Sequence, residues 1–160
     1  MEALKAQIEA LGNELKAAGA LPALDEEVSG VTLFNMERLG GETGPLGDFP
    51  SKRALLRFAG LNIRERKSGQ YRGHNRISKK GRSLLRKIRA QMTFPLWRGI
   101  HLYDDYYHVK VERGMLRQKA KVAVMRKFLG MVYAMAKSGA RFDETRFRRC
   151  ESQYRLAQAA

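Results

Sequence analysis

The stretch Leu61-Asn-Ile-Arg-Glu-Arg-Lys-Ser-Gly-Gln-Tyr-Arg-Gly-His-Asn-Arg-Ile-Ser-Lys-Lys-Gly-Arg82 organises the chain. It carries no apolar period of helix or strand type, so it is not a simple core element. Arg64, Arg66, Lys67, Arg72, Arg76, Lys79, Lys80 and Arg82 stand in it against one acid, Glu65. Gly69, Gly73 and Gly81 punctuate it, which suits a backbone that turns sharply or comes close to something large. Ser68 lies between Lys67 and Gly69. The pattern fits a basic loop that handles a phosphodiester, and it also fits a solvated charge run.

The charge of the whole chain points the same way. Its 160 residues carry a net charge of +15, which calls for a polyanionic partner: nucleic acid first, an acidic membrane surface second. A hydrophobic content of 44% is enough for a core, and the length fits one domain or one domain with an appendage. Cys150 is the only cysteine, so no intrachain disulfide forms and a cytoplasmic life is expected. No apolar run approaches a membrane span, and the sequence from Met1 to Lys5 lacks a signal-peptide layout.

Outward from the central stretch, helical spacing dominates and strand signals are weak, so a mostly α fold is expected. Met1, Leu4, Ile8, Leu11, Leu15 and Ala18 repeat at steps of three and four, which predicts a coiled-coil helix over 1–18. That seam would pair copies of the chain into a homo-oligomer or pack on its own domain. A short helix is expected from about Val31 to Leu39. Ser51 is a good N-cap for a helix carrying Leu55, Leu56 and Ala59, and Gly60 ends it. Ser78 is read as the cap of a helix running to about Met92. Leu84, Leu85, Ile88 and Met92 form its apolar face, and Lys79, Lys80, Arg82, Arg86, Lys87 and Arg89 lie opposite. Thr93 to Arg113 reads as one further helix. Val122, Met125, Leu129, Val132, Tyr133 and Ala136 mark a central core helix stopped by Gly139. A compact domain over 19–143 and a basic tail over 144–160 complete the division.

Three candidate chemistries follow from residue types alone. Ser68, followed by glycine and flanked by cations, is a candidate nucleophile, with His74 the nearest possible base. Tyr106 and Tyr107 are rival nucleophiles, although tyrosines in amphipathic helices are usually packing residues. His101, Asp104, Asp105 and His108 share metal-ligand spacing in principle and also read as a polar helix flank.

Several segments, in this order, resemble one family. They are Phe49-Pro-Ser-Lys-Arg-Ala-Leu-Leu-Arg-Phe-Ala-Gly-Leu61, Lys67-Ser-Gly69, Arg76-Ile-Ser-Lys-Lys-Gly81, Leu84-Leu-Arg86, Met125-Arg-Lys-Phe-Leu129 and Lys137-Ser-Gly139. Together they are similar to the C-terminal transposase domain of insertion-sequence family 110, over roughly residues 28–143. The resemblance implies a recombinase guided by a structured bridge RNA, in which a serine attacks DNA. It assigns that role to Ser68 and implies DNA and guide RNA as ligands of the basic stretch. It also implies a RuvC-like domain outside these 160 residues, joined through a coiled coil, whose acids hold Mg2+. No metal is expected on this chain itself. Ser29-Gly-Val-Thr32 departs from the Pro-Gly-Ile-Gly turn that opens the family domain, and only Gly30 is kept. The other reading is a nucleic-acid-binding fragment that cuts nothing.

Overall fold

The structure is a computed structural model, and it describes residues 2–17, 28, 31–64, 67–68, 71–72, 76–78, 80–98, 103–145 and 147–149. The fold is mostly helical, as expected. Its elements are α1 (Glu2–Ala17), α2 (Leu33–Thr43), a 3-10 turn (Leu46–Asp48), α3 (Lys52–Phe58), β1 (Ile63–Arg64), β2 (Lys67–Ser68), β3 (Tyr71–Arg72), β4 (Arg76–Ile77), α4 (Ser83–Thr93), a second 3-10 turn (Pro95–Trp97), α5 (Asp104–Glu112) and α6 (Arg117–Ser138). No helix among the described residues is long and apolar enough to cross a membrane.

Helix α6 is the central helix. It touches α3, α4, α5 and the first 3-10 turn, and it buries Val124, Phe128, Leu129 and Val132 completely. Leu55 of α3 and Leu85, Ile88 and Met92 of α4 are buried in the same core. Tyr103 closes it from the far side, its ring edge-on to Phe128 at 6.4 Å. The first 3-10 turn is fastened to α6 by Lys137 Nζ, which donates to the Gly47 carbonyl at 2.8 Å. Tyr133 Oη adds a bond to the Phe49 carbonyl at 3.1 Å.

Helix α1 lies against α2 through the side that carries Gly12. A Cβ there would sit inside the Glu37 side chain, 1.7 Å from its Oε1. Of the expected seam, Leu4 and Leu11 do not face the domain, being 60% and 59% exposed.

Four expectations need correction. The central stretch is not an irregular loop, since it contains four short strands in two antiparallel pairs. Helix α4 begins at Ser83, not after Ser78, and its cap residue Arg82 makes no side-chain capping bond. Lys79 and Lys80 therefore precede the helix and do not lie in its first turn. Along α4, Leu85, Ile88 and Met92 are buried as read, but Leu84 is exposed and Arg89 is fully buried, against their expected faces. The single helix expected over 93–113 is a 3-10 turn and a separate α5, the backbone leaving helical geometry at Arg98 with φ −117° and ψ 84°.

Candidate nucleic-acid interface

The end of α3 fixes where the central stretch leaves the core. Ser51 caps the helix start, its Oγ accepting from the Ala54 N–H at 3.1 Å. At the other end the Gly60 N–H donates to the Arg57 carbonyl at 2.9 Å and the Leu61 N–H to the Leu56 carbonyl at 2.8 Å. That pair of bonds is a Schellman stop, and Gly60 supplies its left-handed φ of 65°. The chain leaving the stretch crosses at the same point. Gly81 has φ 148°, and a Cβ on it would lie 2.4 Å from the Phe58 carbonyl oxygen and 2.7 Å from the Gly60 nitrogen. Only glycine permits this backbone-to-backbone crossing.

Between these glycines the chain forms a β-ribbon. Ile63 pairs with Ile77 and Arg64 with Arg76 in the first ladder; Lys67 pairs with Arg72 and Ser68 with Tyr71 in the second. Just below the ribbon the Ser78 N–H donates to the Asn62 carbonyl at 2.8 Å, and the Ser78 hydroxyl donates to Asn62 Oδ1. Ser78 therefore ties the two sides of the ribbon's foot together and does not cap α4.

Three arginines hold that foot from the core side. Arg89 Nη2 donates to the Ala59 carbonyl at 2.9 Å, and its Nε donates to the Leu85 carbonyl at 3.0 Å. Arg86 Nη1 reaches the Gly81 carbonyl at 3.0 Å. Arg126, arriving from α6, donates to the Leu61 carbonyl. Cations at the carbonyl end of α3 suit its dipole, which partly offsets their desolvation. The offset is incomplete for Arg89. Burial, with a smaller push from the charge on Arg86, lowers its pKa to about 10. Its Nη1 is buried without a hydrogen-bond partner. Burial also lowers the Arg126 pKa, against a smaller raising effect of Tyr106.

The ribbon's register sets Arg64 opposite Arg76 and Lys67 opposite Arg72, and Ser68 with Tyr71 forms the next rung. Arg64, Arg76 and Lys80 are exposed. Arg66, Lys79 and the candidate base His74 lie outside the described residues, as does His101 of the possible metal set. Arg82 is partly engaged by the fold, with Nη1 3.4 Å from Glu42 Oε2 and its guanidinium 5.4 Å over the Phe58 ring.

The rival groups sit elsewhere. Tyr107 is buried, with its ring 4.9 Å from that of Trp97, which makes it a packing residue. Tyr106 is half-buried with Lys110 and Lys127 over its ring at 4.7 and 4.3 Å. His108 Nε2 lies 3.1 Å from Asp104 Oδ1, an ordinary i,i+4 pair. Among the described residues no group of three or more His, Cys, Asp or Glu side chains comes together to hold a metal ion.

Sequence reasoning did not give Arg57, Asn62, Arg86, Arg89 and Arg126 the roles they have in this region. Arginines on helices give no sign that Arg89 and Arg126 meet carbonyls 30 and 65 residues away. The one usable hint was Gly60 and Gly81 bracketing the basic stretch.

Residues 26–104, just under half of the chain, match a family described as Transposase IS116/IS110/IS902 family. The match covers α2, α3, the whole ribbon and α4. This similarity supports a transposase role and, with it, DNA as a partner. No curated protein matches the chain.

Proposed function

We propose that this chain provides the serine-bearing, DNA-holding domain of a transposase, with Ser68 as the nucleophile. The ribbon's register carries the reading: two rungs set cation against cation, and Ser68 stands on the next rung. Like charges directly opposite each other destabilise a ribbon, by roughly 0.2–1 kcal/mol per pair. A phosphate backbone laid along the ribbon removes that cost, so the ribbon is most stable when bound to a polyanion. The transposase similarity makes DNA that polyanion. A structured guide RNA is proposed as a second ligand of the same basic surface, and the setting is cytoplasmic.

In the reaction, Ser68 Oγ attacks phosphorus, an Oγ–P bond forms and the bond from phosphorus to one sugar oxygen breaks. The serine proton passes to a base, and the departing sugar oxygen gains one from solvent. Arg64, Arg66, Lys67, Arg72 and Arg76 neutralise charge building on the phosphate oxygens. The phosphodiester to serine keeps the energy of the broken bond, so a sugar hydroxyl can reverse the step and rejoin strands. Metal-bound acids of a RuvC-like partner domain would supply activation of the hydroxyl.

The test is a denaturing gel of labelled DNA with the full chain, the RuvC-like carboxylate domain and guide RNA supplied in trans. A detergent-resistant shifted band is expected, and Ser68→Ala should remove it while leaving DNA binding nearly intact. A band that survives Ser68→Ala and disappears in Tyr106→Phe would transfer the role to the tyrosine.

A further inference from the structure

One cleft at the foot of the ribbon shares only Arg64 with the serine chemistry. It measures about 320 Å³ and is lined by Arg57, Asn62, Arg64, Ser78 and Lys80. These residues come from the last turn of α3, from β1 and its approach, and from the chain after β4. Their polar groups are sorted by the local hydrogen bonds. Asn62 Oδ1 accepts from the Ser78 hydroxyl, and Ser78 Oγ in turn accepts from the Lys80 N–H at 3.3 Å. Asn62 is thereby left with its amide N–H groups to offer, and Ser78 has already used its proton. Beside them stand two guanidiniums and an ammonium, and among the described residues no carboxylate lines the cleft. A concavity built from donors and cations selects a ligand rich in acceptor oxygens. Its size is at the lower end for a small-molecule site, enough for one phosphodiester with part of its sugars.

We infer that this cleft holds a single backbone phosphate of the DNA, away from the scissile one, and sets the strand's register on the ribbon. The inference rests on the DNA reading above but needs no chemistry at Ser68. Asn62 and Ser78 are well suited to the task because the two bonds between them also close the ribbon's foot. A phosphate held there is fixed relative to both strands. Arg57 adds a contact from the core helix, so the anchor is referenced to the domain and not to the ribbon alone.

Two measurements on the full chain test this. In the first, inorganic pyrophosphate is titrated against 15N-labelled protein and the Asn62 side-chain amide resonances are followed. A saturable shift is expected, weakened about tenfold when Arg57→Gln removes one charge-assisted contact. Arg57 is exposed, so this variant keeps the fold. An Asn62 amide that does not respond, or responds equally in both proteins, overturns the site. In the second, single neutral methylphosphonates are walked along one strand of a DNA duplex. One position should weaken binding about tenfold to the parent chain and leave binding to Asn62→Ala and Arg57→Gln unchanged. Equal losses at every position in all three proteins overturn it. The two readings separate cleanly. Pocket signals without a covalent DNA adduct remove only the serine assignment, whereas an adduct without pocket signals removes only the anchor.

Discussion

Gly81→Ala tests the crossing that holds the ribbon to the domain. The added Cβ would meet the Phe58 oxygen at 2.4 Å, the Gly60 nitrogen at 2.7 Å and the Gly60 Cα at 3.1 Å. All three are backbone atoms, so no side chain can rotate away. A comfortable carbon–oxygen contact is about 3.3 Å or more, so the two chain segments must part by close to 1 Å. The φ of 148° adds strain of roughly 1–3 kcal/mol for any residue with a Cβ. Parting the segments also pulls the Gly81 carbonyl from Arg86, a further ~1 kcal/mol for an exposed bond. The expected loss is about 3 kcal/mol or more, a large share of a stability of roughly 5–15 kcal/mol. Urea denaturation reads it as a midpoint about 1–2 M lower at an unchanged slope. Gly60→Ala should cost less, because its nearest neighbour is the movable end of Arg86 at 2.8 Å. Gly41→Ala is the control. It lies in α2 with nothing within 4 Å, so alanine should stabilise by up to ~1 kcal/mol. If Gly81→Ala unfolds at the parent's midpoint, the crossing is not as described and the reasoning fails.

Three other outcomes follow from the same physics. If the ribbon and its foot neutralise about six phosphates, log K for duplex DNA should fall with log salt at a slope near −5; Arg64→Gln with Arg76→Gln should bring it to about −3, and a flat response in filter binding would refute the footprint. Holding Arg89 charged in the core costs on the order of 3 kcal/mol, while removing it strands the Ala59 carbonyl for about 1–3 kcal/mol. Arg89→Met should therefore lie within about 1–2 kcal/mol of the parent, and a loss beyond that range in urea denaturation contradicts the offset. Burial, with a smaller contribution from Tyr106, raises the Tyr103 pKa far above its usual 10. The unfolded chain then ionises first, so Tyr103 contributes stability below pH 10 that is lost as pH rises. Between pH 10 and 11 the parent should lose about 1 kcal/mol more than Tyr103→Phe, and equal losses would contradict this.

Much of the helical frame was legible because its signals are local. Ser51 caps α3 and Gly60 ends it as read, and α6 stops at Gly139. The ribbon was not legible, because strands of two residues are too short for alternation to register. They exist because Gly60 and Gly81 bring their ends together, a contact across twenty-one positions. Ser78 had the look of a helix cap, yet Asn62, sixteen residues earlier, takes its hydroxyl. Arg89 read as a solvent-facing cation because buried arginines are rare; what compensates it is a helix-end carbonyl thirty residues away. Of the proposed site, the basic residues were visible in sequence, while their cation-on-cation pairing and the cleft beside Asn62 needed the fold.

The most direct measurement is the identity of the residue joined to DNA. The full chain is allowed to react with DNA in the presence of the RuvC-like domain and guide RNA, then digested, and the nucleotide-bearing peptide is sequenced by mass spectrometry. The account predicts a nucleotide on Ser68 and none in Ser68→Ala. A nucleotide on Tyr106, Tyr107 or another serine would contradict it.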